Sequence, residues 1–208
     1  MNQTNPKYRL INPPDAAPNQ RTYIVLGLGR SGTSFIASVL GYLGVFAGDK
    51  VTKGNLEDLR LTTPIEANDF TAAAAVIKDY NERHYVWAYK RPSMVGRAAA
   101  TEKLFRNPHY IFTHRDFFAL ALRNEIAISR EIAESLRKSV ASSRHLYAFM
   151  ESTSAPCLHL SFELMNAAPL QAAEIIRDFV LPEQAGTPID AEAFQAFMDE
   201  NLRVYLAK

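Results

Sequence analysis

Residues 27–34 read Gly-Leu-Gly-Arg-Ser-Gly-Thr-Ser, and their types and spacing suit the binding of an oxyanion. The glycines let the backbone curl with its N–H groups turned inward. Arg30 adds a forked donor, and Ser31, Thr33 and Ser34 add hydroxyls. An apolar, β-prone run, Tyr23–Leu26, leads into the turn, and an apolar helical stretch leaves it. Strand, turn and helix in that order bring the positive end of a helix dipole, roughly half an elementary charge, to the turn. Phosphate or sulfate is the natural guest.

The frame Gly27–Ser34 nearly fits the nucleoside-triphosphate loop G-x-x-x-x-G-K-[ST], but Thr33 stands where that loop has lysine. The cation has moved to Arg30. This removes the clamp on β- and γ-phosphates and favours a smaller oxyanion gripped by a guanidinium. Two strand ends supply further cations. Tyr110–His114 runs into Arg115-Asp116, and Tyr85–Tyr89 runs into Lys90-Arg91-Pro92. Ligands of open α/β sheets bind beyond the carboxyl ends of the strands, so Arg115 and Lys90 are expected to face the site. Read singly, Arg115 could instead be a surface charge or pair with Asp116, and Lys90 a solvated charge at a strand end.

The elements that must position these residues follow from periodicity. Tyr23–Leu26, Tyr85–Tyr89, Tyr110–His114 and Leu158–Phe162 are short apolar runs separated by helical pattern. They predict buried parallel strands, with room for a fifth, in an α/β three-layer sandwich around a mostly parallel sheet of four or five strands. Helices are expected over Thr33–Leu43, Thr71–Tyr80, Pro169–Val180 and Ala191–Leu206, the last capped by Asp190. Phe117–Met150 is helical in pattern but too long for one ordinary helix, and a break is expected within 129–142. Residues 1–20, rich in Pro, Asn and Gln, read as an irregular lead-in, and 21–208 as a single domain.

Composition narrows the classes. The chain has 208 residues, 48% hydrophobic and 22% charged, with a net charge of +1. That is enough apolar material for a real core, and no basic field for non-specific nucleic-acid binding. The single cysteine, Cys157, lies between apolar residues and reads as a core thiol with no metal-ligand spacing. The N-terminus lacks a signal-peptide pattern, and no stretch is long and apolar enough to span a membrane, so a cytoplasmic protein is expected.

The run Arg30-Ser31-Gly32-Thr33-Ser34 after a first strand resembles the phosphosulfate-binding loop of the sulfotransferase family, [KR]-S-G-T-[ST]. Leu43-Gly44-Val45 is similar to the stretch that follows in bacterial members. Weaker resemblances occur in the family's order between Tyr23 and Val180. Lys53-Gly54-Asn55-Leu56-Glu57-Asp58 resembles an N-x-x-G-[YF]-x-E-D segment, and Trp87-Ala-Tyr-Lys90-Arg91-Pro92 a W-x-W-K-D-P segment. Arg115-Asp116-Phe117 resembles R-[DN]-P, and His159–Met165 a Y-E-D-L segment. There are departures. Arg91 replaces an acid, Phe117 a proline, Arg123 a serine and Leu164 an acid, and the family's R-x-G-x-x-G loop is missing.

The resemblance implies a P-loop-like sulfotransferase topology and transfer of a sulfuryl group from 3′-phosphoadenosine 5′-phosphosulfate (PAPS), with the 3′,5′-bisphosphate (PAP) as product and no metal. The acceptor would be a small molecule, carbohydrate or lipid, and nucleic acid is not a partner. Gly29, Arg30, Ser31, Gly32, Thr33 and Ser34 would hold the phosphosulfate, and Arg115 and Arg123 the 3′-phosphate. Arg30 and Lys90 would stabilise the charge on the leaving phosphate. Glu57 is the first candidate for the base and Asp58 the second, although either acid could instead cap a helix. His84, His109 and His114 are further base candidates, and Trp87, Phe117 or Phe118 could stack on adenine. Two alternatives stay open. One is a donor-binding protein of the same fold without turnover. The other is an ATP-dependent phosphotransferase with Asp116 as magnesium ligand.

Overall fold

A computed structural model describes residues 7–13, 19–129 and 131–206, with the side chains of 127, 128 and 202–206 left aside. Five strands form one sheet: β1 (Tyr8–Ile11), β2 (Arg21–Gly27), β3 (Val86–Lys90), β4 (Pro108–His114) and β5 (Cys157–Ser161). Their order is β1-β5-β4-β2-β3. Only β1 is antiparallel, pairing Tyr8–Ile11 with Leu160–Cys157. The described helices are α1 (Thr33–Tyr42), α2 (Leu59–Glu66), α3 (Phe70–Arg83), α4 (Ala98–Thr101), α5 (Phe117–Ile128), α6 (Ile132–Ser152), α7 (Phe162–Ala167), α8 (Pro169–Val180) and α9 (Ala191–Leu206). A 3₁₀ segment, Pro92–Arg97, follows β3.

β2 is buried at every position because both of its faces are covered. Its side chains alternate between two cores. Tyr23 and Val25 pack with Ile36, Val39 and Leu40 of α1 and with α8 on one face. Ile24 and Leu26 pack with Leu61, Ile77, Trp87 and Phe149 on the other. Each fully buried aliphatic side chain contributes roughly 1.5–3 kcal/mol, so the two layers hold the sheet between helices. This is the three-layer α/β arrangement that the alternation predicts.

The four predicted strands are present, each within two residues of its expected ends. The fifth strand, β1, lies within the segment read as an irregular lead-in and pairs with β5. Tyr8–Ile11 is exposed at all four positions, so it carries no buried period for a sequence reading to detect. The long helical stretch breaks at Ser129, which has φ 51° and caps α5 through its N–H to the Glu125 carbonyl. Asp190 caps α9, accepting from the N–H groups of Glu192 and Ala193 at 3.0 and 2.9 Å. Cys157 is buried, and burial pushes its thiol up to about 12. No helix among the described residues is long and apolar enough to cross a membrane.

Topology sets the site. β2 is flanked by β3 on one side and β4 on the other, so the chain crosses over β2 between them. A crevice opens where the strand order reverses, at the carboxyl end of β2. The register brings Lys90 opposite Val25 and Thr113 opposite Gly27. The cationic strand ends and the glycine-rich loop therefore meet at one edge.

Candidate active site

Gly27 ends β2 where β4 comes very close. A Cβ there would fall 2.1 Å from Thr113 Oγ1, so only glycine fits. The chain then turns through Leu28 and Gly29. Arg30 takes φ 70°, a conformation uncommon for a side-chain-bearing residue and one that functional loops tolerate. Gly32, at φ 100°, forms the N-cap of α1 without a side-chain cap. The first turn of α1 holds no acid, and the amides of Gly32, Thr33 and Ser34 have no helical acceptors of their own. A Cβ on Gly29 would meet nothing within 4 Å, because the loop opens there onto a cavity.

Ser31 departs from expectation. Its Oγ donates to the Leu28 carbonyl at 2.6 Å and lies 2.5 Å from Thr113 Oγ1, with the residue 1% exposed. This hydroxyl staples the loop to β4 and is not presented to a ligand. Ser34 faces the other way. Its hydroxyl lies 3.5 Å from Lys90 Nζ and from the Asn55 carbonyl.

Lys90, at the end of β3, reaches across to the loop that precedes α2. Its Nζ donates to the Asn55 carbonyl at 2.6 Å and to Glu57 Oε1 at 2.9 Å. Lys90 and Glu57 are each 5% exposed. The other carboxylate oxygen of Glu57 takes the Arg91 guanidinium, which also pairs with Glu66. Arg91 thus neutralises an acid from a neighbouring loop. A buried carboxylate needs such partners, since an unpaired one would be very costly.

Asp58 is the N-cap of α2. It accepts from the amides of Arg60 and Leu61, from Lys50 N at 3.0 Å and from Tyr80 Oη at 2.7 Å. All its lone-pair directions are engaged away from the cavity, which removes it as a base. The histidines stand aside too. His84 stacks on Phe46 with ring centroids 3.9 Å apart, and His109 packs edge-on to Tyr23 toward the start of β4. His114 Nε2 lies 3.0 Å from His159 Nδ1. Trp87 is fully buried and donates to Asn81 Oδ1 at 2.9 Å, so it cannot stack on a ligand. Asp116 caps α5 through the Ala119 amide at 2.9 Å. Phe118 is exposed and Phe117 half-buried, and neither lines the cavity.

Arg115 does turn back onto the loop. Its Nη1 donates to the Arg30 carbonyl at 2.9 Å, and its guanidinium lies over the Phe162 ring at 3.9 Å. Its Nε is buried without a hydrogen-bond partner. Burial, and then the like charge of Arg123, push this guanidinium down from its ordinary value. The Glu163 and Asp116 carboxylates oppose part of that shift, and the buried, unused Nε–H leaves Arg115 with a donor that an anion would satisfy.

A cavity of about 840 Å³ opens over the loop. Gly29, Arg30, Thr33, Glu57, Lys90 and Arg91 line its floor. Its far wall was not anticipated: Asn124 of α5, and Ser135, Lys138, Ser139 and Ser142 of α6. The sequence did carry a signal there, since small polar residues recur at helical spacing on the buried face of α6 at 135, 139 and 143. Arg115 and Arg123 stand outside this cavity, beyond the loop on the β4 side.

No protein-family model and no curated protein matches the chain. Solved structures do. The sulfotransferase domain of the Synechococcus PCC 7002 olefin synthase superposes with a TM-score of 0.58 over 87% of this chain and 78% of that one, at 19% identity. Sulfotransferase STF1 from Mycobacterium tuberculosis H37Rv gives 0.52 over 91% of this chain and 75% of that one, at 15% identity. Identity this low speaks to backbone architecture, and on that ground the chain has the sulfotransferase fold.

Proposed function

We propose that the chain is a sulfotransferase that moves a sulfuryl group from PAPS to a hydroxyl of an acceptor. The observation that carries this reading is the convergence of anion donors around an uncapped helix start. Arg30 and the first-turn amides of α1 lie on one side and Arg115, with its buried unused Nε, on the other. The separation into two cationic groups suits a ligand with two anionic ends. These residues fit PAPS. The loop with Arg30, Thr33 and Ser34 would hold the phosphosulfate, and Arg115 with Arg123 the 3′-phosphate.

When bound, PAPS supplies the sulfuryl group. The acceptor oxygen forms the new S–O bond, the old one breaks with its electron pair going to the phosphate, and the acceptor proton must be taken up. The chain's own residues provide for both charges. Lys90 lies beside Ser34 at the start of α1, placed to meet negative charge growing on a phosphate oxygen. Glu57 lies against Lys90 at the cavity floor and is the proton acceptor in this reading. Both of its oxygens are engaged by cations, so taking a proton requires it to loosen Arg91 or Lys90. Arg91 has Glu66 as a second partner and can shift toward it without losing its own pairing.

The double clamp on Glu57 also supports a second reading, in which the protein binds the donor but does not turn it over. Calorimetric titration with 3′,5′-adenosine bisphosphate, run beside ATP with magnesium, tests the site. A transfer assay with radiolabelled PAPS then separates the two readings. Micromolar bisphosphate binding with ATP silent is expected. Binding of ATP alone would overturn the assignment in favour of a phosphotransferase.

A further inference from the structure

The far wall of the cavity differs in chemistry from its floor. Ser135 of α6 is 1% exposed, lines the cavity, and its Oγ has no hydrogen-bond partner. Serines inside helices usually return their hydroxyl to a carbonyl of their own helix. Ser143 and Ser152 do so, donating to Val140 and Phe149 carbonyls at 2.8 and 3.0 Å. Ser135 is in the same helix and does not. A buried hydroxyl left unpaired is costly. Among the described residues Thr22 and Ser38 also carry one, but of the three only Ser135 lines the cavity, where an arriving partner could meet it.

The neighbours agree. Ser139 and Ser142 continue the same face at i+4 and i+7, and Asn124 adds an amide from α5. Among the described residues lining the cavity none is aromatic, and its apolar side chains are Leu28, Pro92 and Val95. Lys138 is paired with Glu134 at 2.5 Å, and Arg91 with two acids, so this end offers hydroxyls and an amide more than charge. α6 packs on Pro92–Arg97, the segment that follows Lys90, and so closes the cavity over the reacting end of the loop. Arg115 lies on the opposite side of β2 from that segment.

We infer that the serine face of α6 binds the acceptor, and that the acceptor is a neutral polyhydroxylated, sugar-like molecule and not an aryl or long-chain alcohol. This rests on the sulfotransferase reading. Sugar hydroxyls donate and accept at once, as serine hydroxyls and the asparagine amide do, and a wall of these groups matches them in kind. An aryl or alkyl acceptor would strand the wall's polar atoms without partners.

The test uses the full chain with bisphosphate bound and methyl glycosides of glucose, galactose and N-acetylglucosamine as probes. p-Nitrophenol and dodecanol serve as contrasts. Saturation-transfer NMR should show a glycoside bound and the contrasts silent, and labelled PAPS should pass sulfate to a glycoside. Ser135→Ala should raise the glycoside KM about tenfold, with bisphosphate affinity unchanged and the melting midpoint unchanged or higher, because the lost hydroxyl had no partner. A merely structural serine would instead lower the midpoint and spare KM. Bisphosphate binding with transfer to p-nitrophenol or dodecanol, or with no glycoside bound, overturns the acceptor class while the donor site stands. Loss of bisphosphate binding in the wild type overturns both.

Discussion

Asp49, Arg60, Asp79 and Arg83 close a ring of ion pairs at 2.5–3.0 Å, with side chains 33–40% exposed. Lys90, Glu57, Arg91 and Glu66 form a second cluster with the same charges in a different order, and there the Lys90 and Glu57 side chains are 4% and 7% exposed. In the first, each acid meets both arginines and each arginine both acids, so the ring is saturated. Hydrogen bonds from Arg83 hold Asp49, and those from Arg60 hold Asp79, below the usual carboxylate range. Water screens the ring, and none of its four residues lines the cavity over the loop. The second cluster is a chain and not a ring, and its Lys90–Glu57 end lies on the floor of the cavity beside the start of α1. The same balance of two acids and two cations thus does different things because burial strengthens charge and topology decides what faces it.

The sharpest way to break this contrast is at Glu57. Glu57→Gln should lower turnover by about 10²–10⁴-fold, the usual worth of a positioned base, while bisphosphate affinity stays intact. Steady-state kinetics beside calorimetry would show it, and unchanged turnover would reduce Glu57 to a counter-ion for Lys90. Next comes the anchor outside the cavity. Arg115→Ala should weaken bisphosphate binding about tenfold to a hundredfold, or about 1.4–2.8 kcal/mol, read by the same titration. Wild-type affinity in that variant would remove the second anionic subsite.

A third effect extends the buried side of the comparison. Burial, then the charge of facing His114, holds His159 at about 4, and burial also lowers His114. Unfolded histidine takes its proton near 6.5. Between about 6.5 and 4 the unfolded chain therefore binds more protons, and stability falls as pH falls through that window. Denaturation midpoints should drop by a few degrees from pH 7 to pH 4.5, and His159→Gln should flatten the slope. A flat wild-type profile would show the pair to be solvated. The smallest effect belongs to the exposed ring. Asp79→Asn should leave turnover at the wild-type value and the midpoint, measured at physiological ionic strength, within scatter of it. A clear loss would mean that the ring also supports α3.

Much of this was legible in the sequence. The order strand, glycine-rich loop and apolar helix is local, and so are the apolar runs of the four parallel strands and the Asp190 cap. Local patterns reflect backbone sterics and burial, which act between near neighbours. The edge strand β1 escaped because an exposed antiparallel edge needs no apolar period. At the site, the sequence singled out Arg30, Glu57, Lys90 and Arg115 as residue types that could do chemistry. It could not say that Ser31 turns inward to Thr113, since the two lie 82 positions apart and meet only through the β2–β4 register.

Glu57 and Asp58 show where the line falls. They are adjacent acids, equal as sequence, and each could have been a helix cap or a base. Folding gives Asp58 the amides at the start of α2 and the Tyr80 hydroxyl, and gives Glu57 the Lys90 ammonium at the cavity floor. The serine face of α6 became a wall only because α6 packs on the segment after β3. What the sequence determined by itself was the loop, the strands and the kinds of charge available. Which charge meets which, and what stays open to a ligand, was decided by tertiary packing, because those contacts join residues that the chain keeps far apart.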